Sequence, residues 1–238
     1  MNVEPKEPTP ATCQLYGVQD QGLNNSQFFT INLDGFVVTP LGEMHQGYDI
    51  EAMDVHPATN ILYVASGNDT ENHPKGHLDK LDAQTGQLIS VGPTGFNEIS
   101  SLAFNADGEL WAWAKNDGLI QLDTTTGQGT LVFEYSGEVE DLSWNLDGTL
   151  LYGSIDTALY AYNPQSGEIA LACDNLPQET EALEMLADGL MLLGMHKDKT
   201  LILHAFDIST YQMVISEDIA IPHDDPEGLA MPIEACQR

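Results

Sequence analysis

The chain has 238 residues, with 37 Asp and Glu against seven Lys and Arg, so its formal net charge is −30 at pH 7. That charge argues against nucleic acid or an anionic membrane as a partner, because both attract basic proteins, and it favours cations. The same acidity is also typical of a protein that stays soluble in a salty or extracellular medium. No run of 18 apolar residues and no signal-peptide core occurs, so we expect a soluble monomer without a membrane segment.

The first residues predict a short leader and then a domain that begins within a repeat. Residues 1–12 have the proline and polar content of a disordered leader, which leaves 13–238 as a single domain. The segments 15–18, 28–31 and 36–39 then match the second, third and fourth strands of a four-stranded unit whose first strand is missing. Helical periodicity is hard to find, so the fold class is all-β.

A seven-residue segment with an acidic start occurs five times and opens each unit. The copies span 49–55, 98–104, 138–144, 179–185 and 225–231. Their central apolar residues lie 49, 40, 41 and 46 residues apart, which is the length of a four-stranded propeller blade. The last copy supplies the first strand that the N-terminal unit lacks. We therefore predict a five-bladed β-propeller whose ring is closed by a composite blade of N- and C-terminal strands.

Two cysteines flank the join of this composite blade. Cys13 precedes its second strand and Cys236 follows its first, so we predict a disulfide between them, with two separate thiols as the alternative. A disulfide would favour an oxidising compartment and a secreted or periplasmic location. Cys173 has no evident partner.

Acidic side chains converge where the inner strands begin. Because residues i and i+2 of a strand share a face, the first and third heptad positions should form two rings around the axis. The upper ring comprises Asp49, Glu98, Glu138, Glu179 and Asp225, and the second comprises Glu51, Ser100, Glu140, Glu181 and Glu227. The apolar fifth and seventh positions should plug the channel below them, at Met53, Leu102, Leu142, Leu183 and Leu229 and then at Val55, Phe104, Trp144, Met185 and Met231.

The charge repulsion within such rings must be compensated. Two like charges about 6 Å apart repel by roughly 3 kcal/mol at an effective dielectric of about 20. Bound protons or a hard, oxygen-preferring cation such as Ca²⁺ would relieve this repulsion. The nine carboxylates of the two rings are thus the predicted metal ligands, and the alternative is a hydrated acidic funnel with diffuse counterions.

The loops at the same face contain most of the scarce cations. Lys75, Lys115, Lys197 and Lys199 fall there. The same loops contain Asp20, Asp69, Asp117, Asp156, Asp198, His73, His77 and His196. This pattern suits a small anionic ligand at the channel mouth, but lysine is also common at ordinary hairpin tips. The longest of these loops, 66–76, is the candidate specificity loop.

Segment 142–152 resembles the repeats of bacterial YVTN and lactonase-type propellers. Segments 49–53 and 225–230 resemble the inner-strand motifs of calcium-centred propellers, namely the gluconolactonase-like, paraoxonase-like and esterase-like phytase groups. In those groups a glutamate of this strand accompanies a channel calcium, which the resemblance transfers to Glu51, Glu140, Glu181 and Glu227. Those enzymes have six or more blades and also use Asn and Asp from other strands, unlike the pattern here.

Two functions follow as hypotheses. The first is an extracytoplasmic Ca²⁺-dependent hydrolase of a small anionic ester or phosphoester, with a spare carboxylate as general base. Glu51 and Glu227 are favoured for that role without either being singled out. The alternative is a non-catalytic propeller that binds a ligand or protein and holds a structural metal.

Overall fold

The computed structural model describes residues 7–176, 179–197, 200–220 and 225–236, except the side chains of residues 196, 197, 215, 216 and 234. The described part is all-β, with a single four-residue helix. Its elements, in chain order, are β1 (Leu15–Gln21), β2 (Asn25–Asn32), β3 (Val37–Pro40), β4 (Ile50–Val55), β5 (Leu62–Ser66), β6 (His77–Leu81), β7 (Leu88–Pro93), β8 (Ile99–Phe104), β9 (Leu110–Ala114), β10 (Gly118–Leu122), β11 (Gly129–Glu134), β12 (Leu142–Trp144), β13 (Leu151–Ile155), β14 (Ala158–Asn163), β15 (Glu168–Cys173), β16 (Ala182–Met185), β17 (Leu190–Lys197), β18 (Thr200–Asp207), β19 (Gln212–Ala220), β20 (Asp225–Ala230) and α1 (Ile233–Cys236).

These strands form five four-stranded antiparallel sheets, each a propeller blade. Four sheets use consecutive strands, in the orders β4-β5-β6-β7, β8-β9-β10-β11, β12-β13-β14-β15 and β16-β17-β18-β19. The fifth has the order β20-β1-β2-β3, with Leu229 opposite Gly17. The five-bladed propeller and its composite closing blade are therefore confirmed. Pairing the two ends of the chain within one sheet closes the ring.

Apolar packing is concentrated at the boundaries between blades. Five clusters of buried side chains occur, one at each boundary. At the composite blade, for example, Val18 and Ala230 share a cluster with Met53 and Val64 of the next blade. Each large apolar side chain buried in this way contributes about 1.5–3 kcal/mol. The ring is thus stabilised by five small cores arranged around the axis.

An irregularity occurs in every inner strand at the third position of the heptad. The register shifts past Glu51 in β4, past Ser100 in β8 and past Glu227 in β20. In the other two blades the amide of Glu140 bonds to Ser154 O, and that of Glu181 to Gly194 O, both at 3.0 Å. Ser154 N also donates to Asp141 O, and Gly194 pairs with Ala182, so two inner residues face one. These are β-bulges, which re-aim the side chains that follow.

The bulges explain why one expectation is wrong. The fifth-position residues do not meet in a plug, because each belongs to a different cluster between blades. Met53 packs with the composite blade, whereas Leu229 packs with Ala182 on the opposite side of that blade. Simple alternation would have directed all five side chains to the axis, but the extra residue in each strand shifts the alternation.

The predicted disulfide is present between Cys13 and Cys236, whose Cα atoms are 4.6 Å apart, and Cys173 is a free thiol. The division of the chain at residue 12 remains a prediction. Within the described part, Thr9 donates two hydrogen bonds of 2.9 Å to Asp82 Oδ2. No helix in the described ranges is long and apolar enough to cross a membrane.

Candidate metal centre

The acidic residues of the two predicted rings lie close enough to interact across blades. The charges of Asp49 and Glu98 act on Glu51, and those of Glu179 and Asp225 act on Glu181. The charges of Asp225, Glu51 and Glu181 in turn act on Glu227. Glu140 is likewise affected by the charges of Glu181 and Glu179. Acid pairs therefore span four successive blade boundaries, and Lys115 spans the fifth, between Glu98 and Glu138. All nine predicted carboxylates belong to this group, which we call the acidic mouth: Asp49, Glu51, Glu98, Glu138, Glu140, Glu179, Glu181, Asp225 and Glu227.

Protonation of the acidic mouth is shifted towards the neutral form. Burial raises the pKa of Glu51 to about 9, and the charge of Asp49 adds to this effect. Burial also raises the pKa of Glu140 and of Glu181 to about 7, with smaller contributions from neighbouring glutamates. The pKa of Glu227 is raised well above its usual range, first by burial and then by Asp225. Bound protons or a bound cation would therefore stabilise the inner carboxyls.

One side of the mouth already contains a cation. The Nζ atom of Lys115 lies 2.9 Å from Glu98 Oε1 and also contacts Glu138 Oε1. The amide of Asn68 donates to the other oxygen of Glu98. Lys115 is therefore engaged by protein carboxylates, whereas the sequence pattern had suggested a role towards an anionic ligand.

The other predicted mouth lysines contribute less to this picture. Lys75 is exposed and acts on Asp49 only through its charge. The side chain of Lys197 lies outside the described part of the structure, as does that of His196. Asp198 and Lys199 lie entirely outside the described residues.

The loop 66–76 folds over the acidic mouth. Its Asp69 amide donates to Asp49 Oδ2 at 2.7 Å, and this bond opposes the rise in the pKa of Asp49 that burial causes. Asp49 itself has a φ of 55°, a left-handed conformation that is uncommon for residues other than glycine, although Asp adopts it more often than most, and that concentrates at functional sites. A Cβ at Gly67 would collide with the carboxylate of Glu51. Glycine at this position therefore makes room for the inner acid.

Asp20 is the mouth residue that sequence reasoning did not include among the ligands. It lies at the end of β1, is only 3% exposed, and its Oδ1 atom has no hydrogen-bond partner among the described residues. Burial raises its pKa to about 7 against the effect of a hydrogen bond from Ser26, and the charges of Asp49 and Asp225 raise it further. Aligning the second strands gives only a weak signal, because the position of Asp20 is occupied by Gly67, Lys115 and Asp156 in three other blades.

Three further acids lie deeper in the inner strands and link neighbouring blades. Asp54 accepts the amide of Phe104 at 2.5 Å, and Asp141 accepts that of Leu183 at 2.8 Å. Glu184 accepts a backbone hydrogen bond from Met231. Burial raises the pKa of all three carboxyls, that of Asp54 to about 7. Each bond joins two inner strands, a structural role that the heptad pattern did not indicate.

The present side-chain arrangement is not a preformed metal cage. Across the described ranges, no group of three or more His, Cys, Asp or Glu side chains has the spacing needed to hold a metal ion. The donor chemistry is nevertheless that of a hard cation, because the mouth offers carboxylate oxygens. The buried Oδ1 atom of Asp20 lies at the acidic mouth as well and has no hydrogen-bond partner among the described residues.

Comparison with known proteins gives the fold alone. No protein-family profile matches the chain, and no curated protein matches its sequence. Among solved structures, a chain of a nidogen/laminin complex has a TM-score of 0.64 at 7% identity, covering 94% of this chain and 99% of that one. A Bacteroides thetaiotaomicron VPI-5482 protein of unknown function gives 0.62 at 16%, covering 94% and 65%. Hydrazine synthase from Kuenenia stuttgartiensis gives 0.51 at 13% identity, covering 74% of this chain but only 50% of its own. Identities this low support a shared propeller architecture and no shared activity.

Proposed function

We propose that this propeller binds Ca²⁺ at the acidic mouth, on the side of the composite blade. The ligands would come from Asp20, Asp49, Glu51, Asp225 and Glu227. The observation that carries the proposal is the buried Oδ1 of Asp20, which lacks a partner while the charges of Asp49 and Asp225 act on the same carboxyl. A cation there would relieve several unfavourable interactions at once, since an unsatisfied buried acceptor costs about 1–3 kcal/mol.

The opposite side of the mouth is less suited to the ion. Glu98 and Glu138 are neutralised by Lys115, whose charge would repel a cation placed beside it. Because no three described carboxyls have ligand spacing, the side chains on the composite-blade side would have to move together for the ion to bind.

Calcium titration with unfolding measurements tests the proposal. After treatment with EDTA, the wild-type protein should bind Ca²⁺ by calorimetry and melt at a higher temperature when the ion is added. Free ligand at about 100 times its dissociation constant stabilises a fold by about 2.7 kcal/mol. Glu227→Gln should abolish most of the shift, whereas Glu43→Gln, at an exposed carboxylate, should retain it. Absence of both heat and melting shift in the wild type would refute the site.

Two candidate functions differ in the role that they give to the ion. In a binding propeller, Ca²⁺ would hold the composite blade to its neighbours, and the engagement of Lys115 by two carboxylates favours this role because it leaves that lysine unavailable to an anionic substrate. The disulfide supports an extracytoplasmic location, secreted or periplasmic, where such ions are abundant. We also propose, from the sequence resemblance alone, that the protein is related to the YVTN or lactonase-like propellers.

Hydrolysis of a small ester or phosphoester is the second candidate. It is favoured by Glu140 and Glu181, whose pKa of about 7 suits a general base at neutral pH. When bound, Ca²⁺ would supply a Lewis acid for the carbonyl or phosphoryl oxygen. Turnover of a chromogenic lactone or phosphate ester that stops on chelation, and in Glu140→Gln, would support this function. Calcium binding without turnover would support the binding propeller.

A further inference from the structure

A cavity lies on the axis at the face opposite the acidic mouth. Its volume is about 260 Å³, and all five blades contribute to its walls. The residues that line it lie at the C-terminal ends of the inner strands or shortly after them, so the cavity begins at the level of the deep acids. Apolar and aromatic side chains form much of the wall, notably Phe104, Trp144, Met185 and Met231.

Two acids line this cavity. Asp54 and Glu184 are both lining residues, both are buried, and the charge of Asp54 acts on Glu184. Asp54 accepts the amide of Phe104 in the next blade and that of Val55 in its own strand, and Glu184 accepts a backbone hydrogen bond from Met231. A buried carboxyl group is costly when it is ionised without a cationic partner, so a positively charged occupant would offset that cost.

Two further polar residues line the cavity. The side chain of Ser143 is only 6% exposed, and its hydroxyl can hydrogen-bond to an occupant. Asn60 is also a lining residue, and its buried Oδ1 atom has no hydrogen-bond partner among the described residues, which is unusual for a buried polar atom. The cavity therefore offers two carboxyls, a hydroxyl and two aromatic rings around one small volume.

We propose that this cavity binds a small organic ammonium ion, with the cationic head beside Asp54, Glu184 and Ser143 and the hydrocarbon part against Phe104 and Trp144. Aromatic faces attract such cations by about 0.5–2 kcal/mol, and more when the site is desolvated. A metal ion fits less well, because Ca²⁺ requires six to eight oxygen ligands and apolar and aromatic side chains form much of these walls. The net charge of −30 would raise the local concentration of any cation.

Choline chloride and its neutral isostere, 3,3-dimethylbutan-1-ol, provide a matched pair of probes. In EDTA, calorimetry on the wild-type protein should show saturable choline binding at one site per chain. The alcohol should bind at least roughly tenfold more weakly, which corresponds to the loss of about 1.4 kcal/mol of charge-dependent attraction. Equal affinity for both probes, or no saturable binding of choline, would overturn the proposal.

Variants then locate the site. Glu184→Gln should weaken choline binding roughly tenfold, and Ser143→Leu, which adds bulk at the cavity wall and leaves both acids in place, should block it. Glu43→Gln removes an exposed carboxyl away from both sites and should leave choline binding unchanged. Binding that survives both cavity variants, or that is lost in Glu43→Gln, would place the ligand elsewhere and refute the assignment. Because calcium is absent throughout, failure here leaves the calcium proposal intact.

Discussion

Replacing Glu51 by Gln should stabilise the calcium-free protein at alkaline pH. Glu51 has a folded-state pKa of about 9 against an ordinary value of 4.5, chiefly because it is buried. A group with a raised folded pKa contributes stability below its unfolded pKa, and that contribution is lost as the pH rises towards the folded pKa. Glutamine has nearly the same shape as the protonated acid and does not titrate, so it removes this loss.

The magnitude follows from the two pKa values. At 1.36 kcal/mol per pH unit, the wild-type carboxyl costs about 5 kcal/mol at pH 8 and about 1 kcal/mol at pH 5. The variant should therefore exceed the wild type by up to about 4 kcal/mol more at pH 8 than at pH 5. Both values lie above the pI of about 4.1, so the protein keeps its negative charge.

Urea unfolding followed by tryptophan fluorescence measures this difference directly. Wild type, Glu51→Gln and the exposed control Glu43→Gln should be compared in EDTA at both pH values, and then with Ca²⁺ at pH 8. The ion should narrow the difference by up to about 2.7 kcal/mol at 100 times its dissociation constant, because the variant lacks one of the carboxylates that would bind it. A stability change that is the same at pH 5 and pH 8, or a less stable variant in EDTA at pH 8, would refute the reasoning.

Two other perturbations test the ring and its internal cation. Reducing the bond between Cys13 and Cys236, or replacing both by Ser, should cost up to about 5 kcal/mol in urea unfolding, because the closed loop spans 223 residues; an unchanged midpoint would contradict this. Lys115→Met should cost about 1–2 kcal/mol, since it leaves the buried carboxylate of Glu98 unpaired at a partly hydrated site. Lys80→Met, which removes only a contact with an aromatic ring, should cost less, and an equal loss would argue against the Lys115 bridge.

The repeat predicted the architecture because each blade repeats the same local signals. The heptad spacing, the missing first strand and the positions of Cys13 and Cys236 together indicated five blades, a composite closure and a disulfide, and all three are confirmed. These features depend on sequence order and on turn chemistry, which one chain displays directly. The identification of the acids at the start of the inner strands as neighbours depended on the same repeat.

The repeat could not predict the internal geometry of the acidic mouth. A β-bulge at the third heptad position has no fixed residue type here, since that position is Glu in four blades and Ser100 in the fifth. Without the bulge, alternation predicts an apolar plug instead of packing between blades. The sequence also placed Lys115 at the mouth but could not show that Glu98 and Glu138 engage it, because such pairing depends on side-chain direction.

The bulge also gives the axis two acidic ends with different surroundings. In β4, Glu51 lies at the mouth among other carboxylates, whereas Asp54, three residues later, lines the cavity at the opposite face beside Phe104. In the fourth blade, Glu181 and Glu184 are divided in the same way. Oxygen ligands alone favour a hard metal ion, and carboxyls among aromatic rings favour an organic cation. If both proposals hold, calcium and choline should bind to the same molecule without competing, and saturating either site should leave the stoichiometry of the other at one.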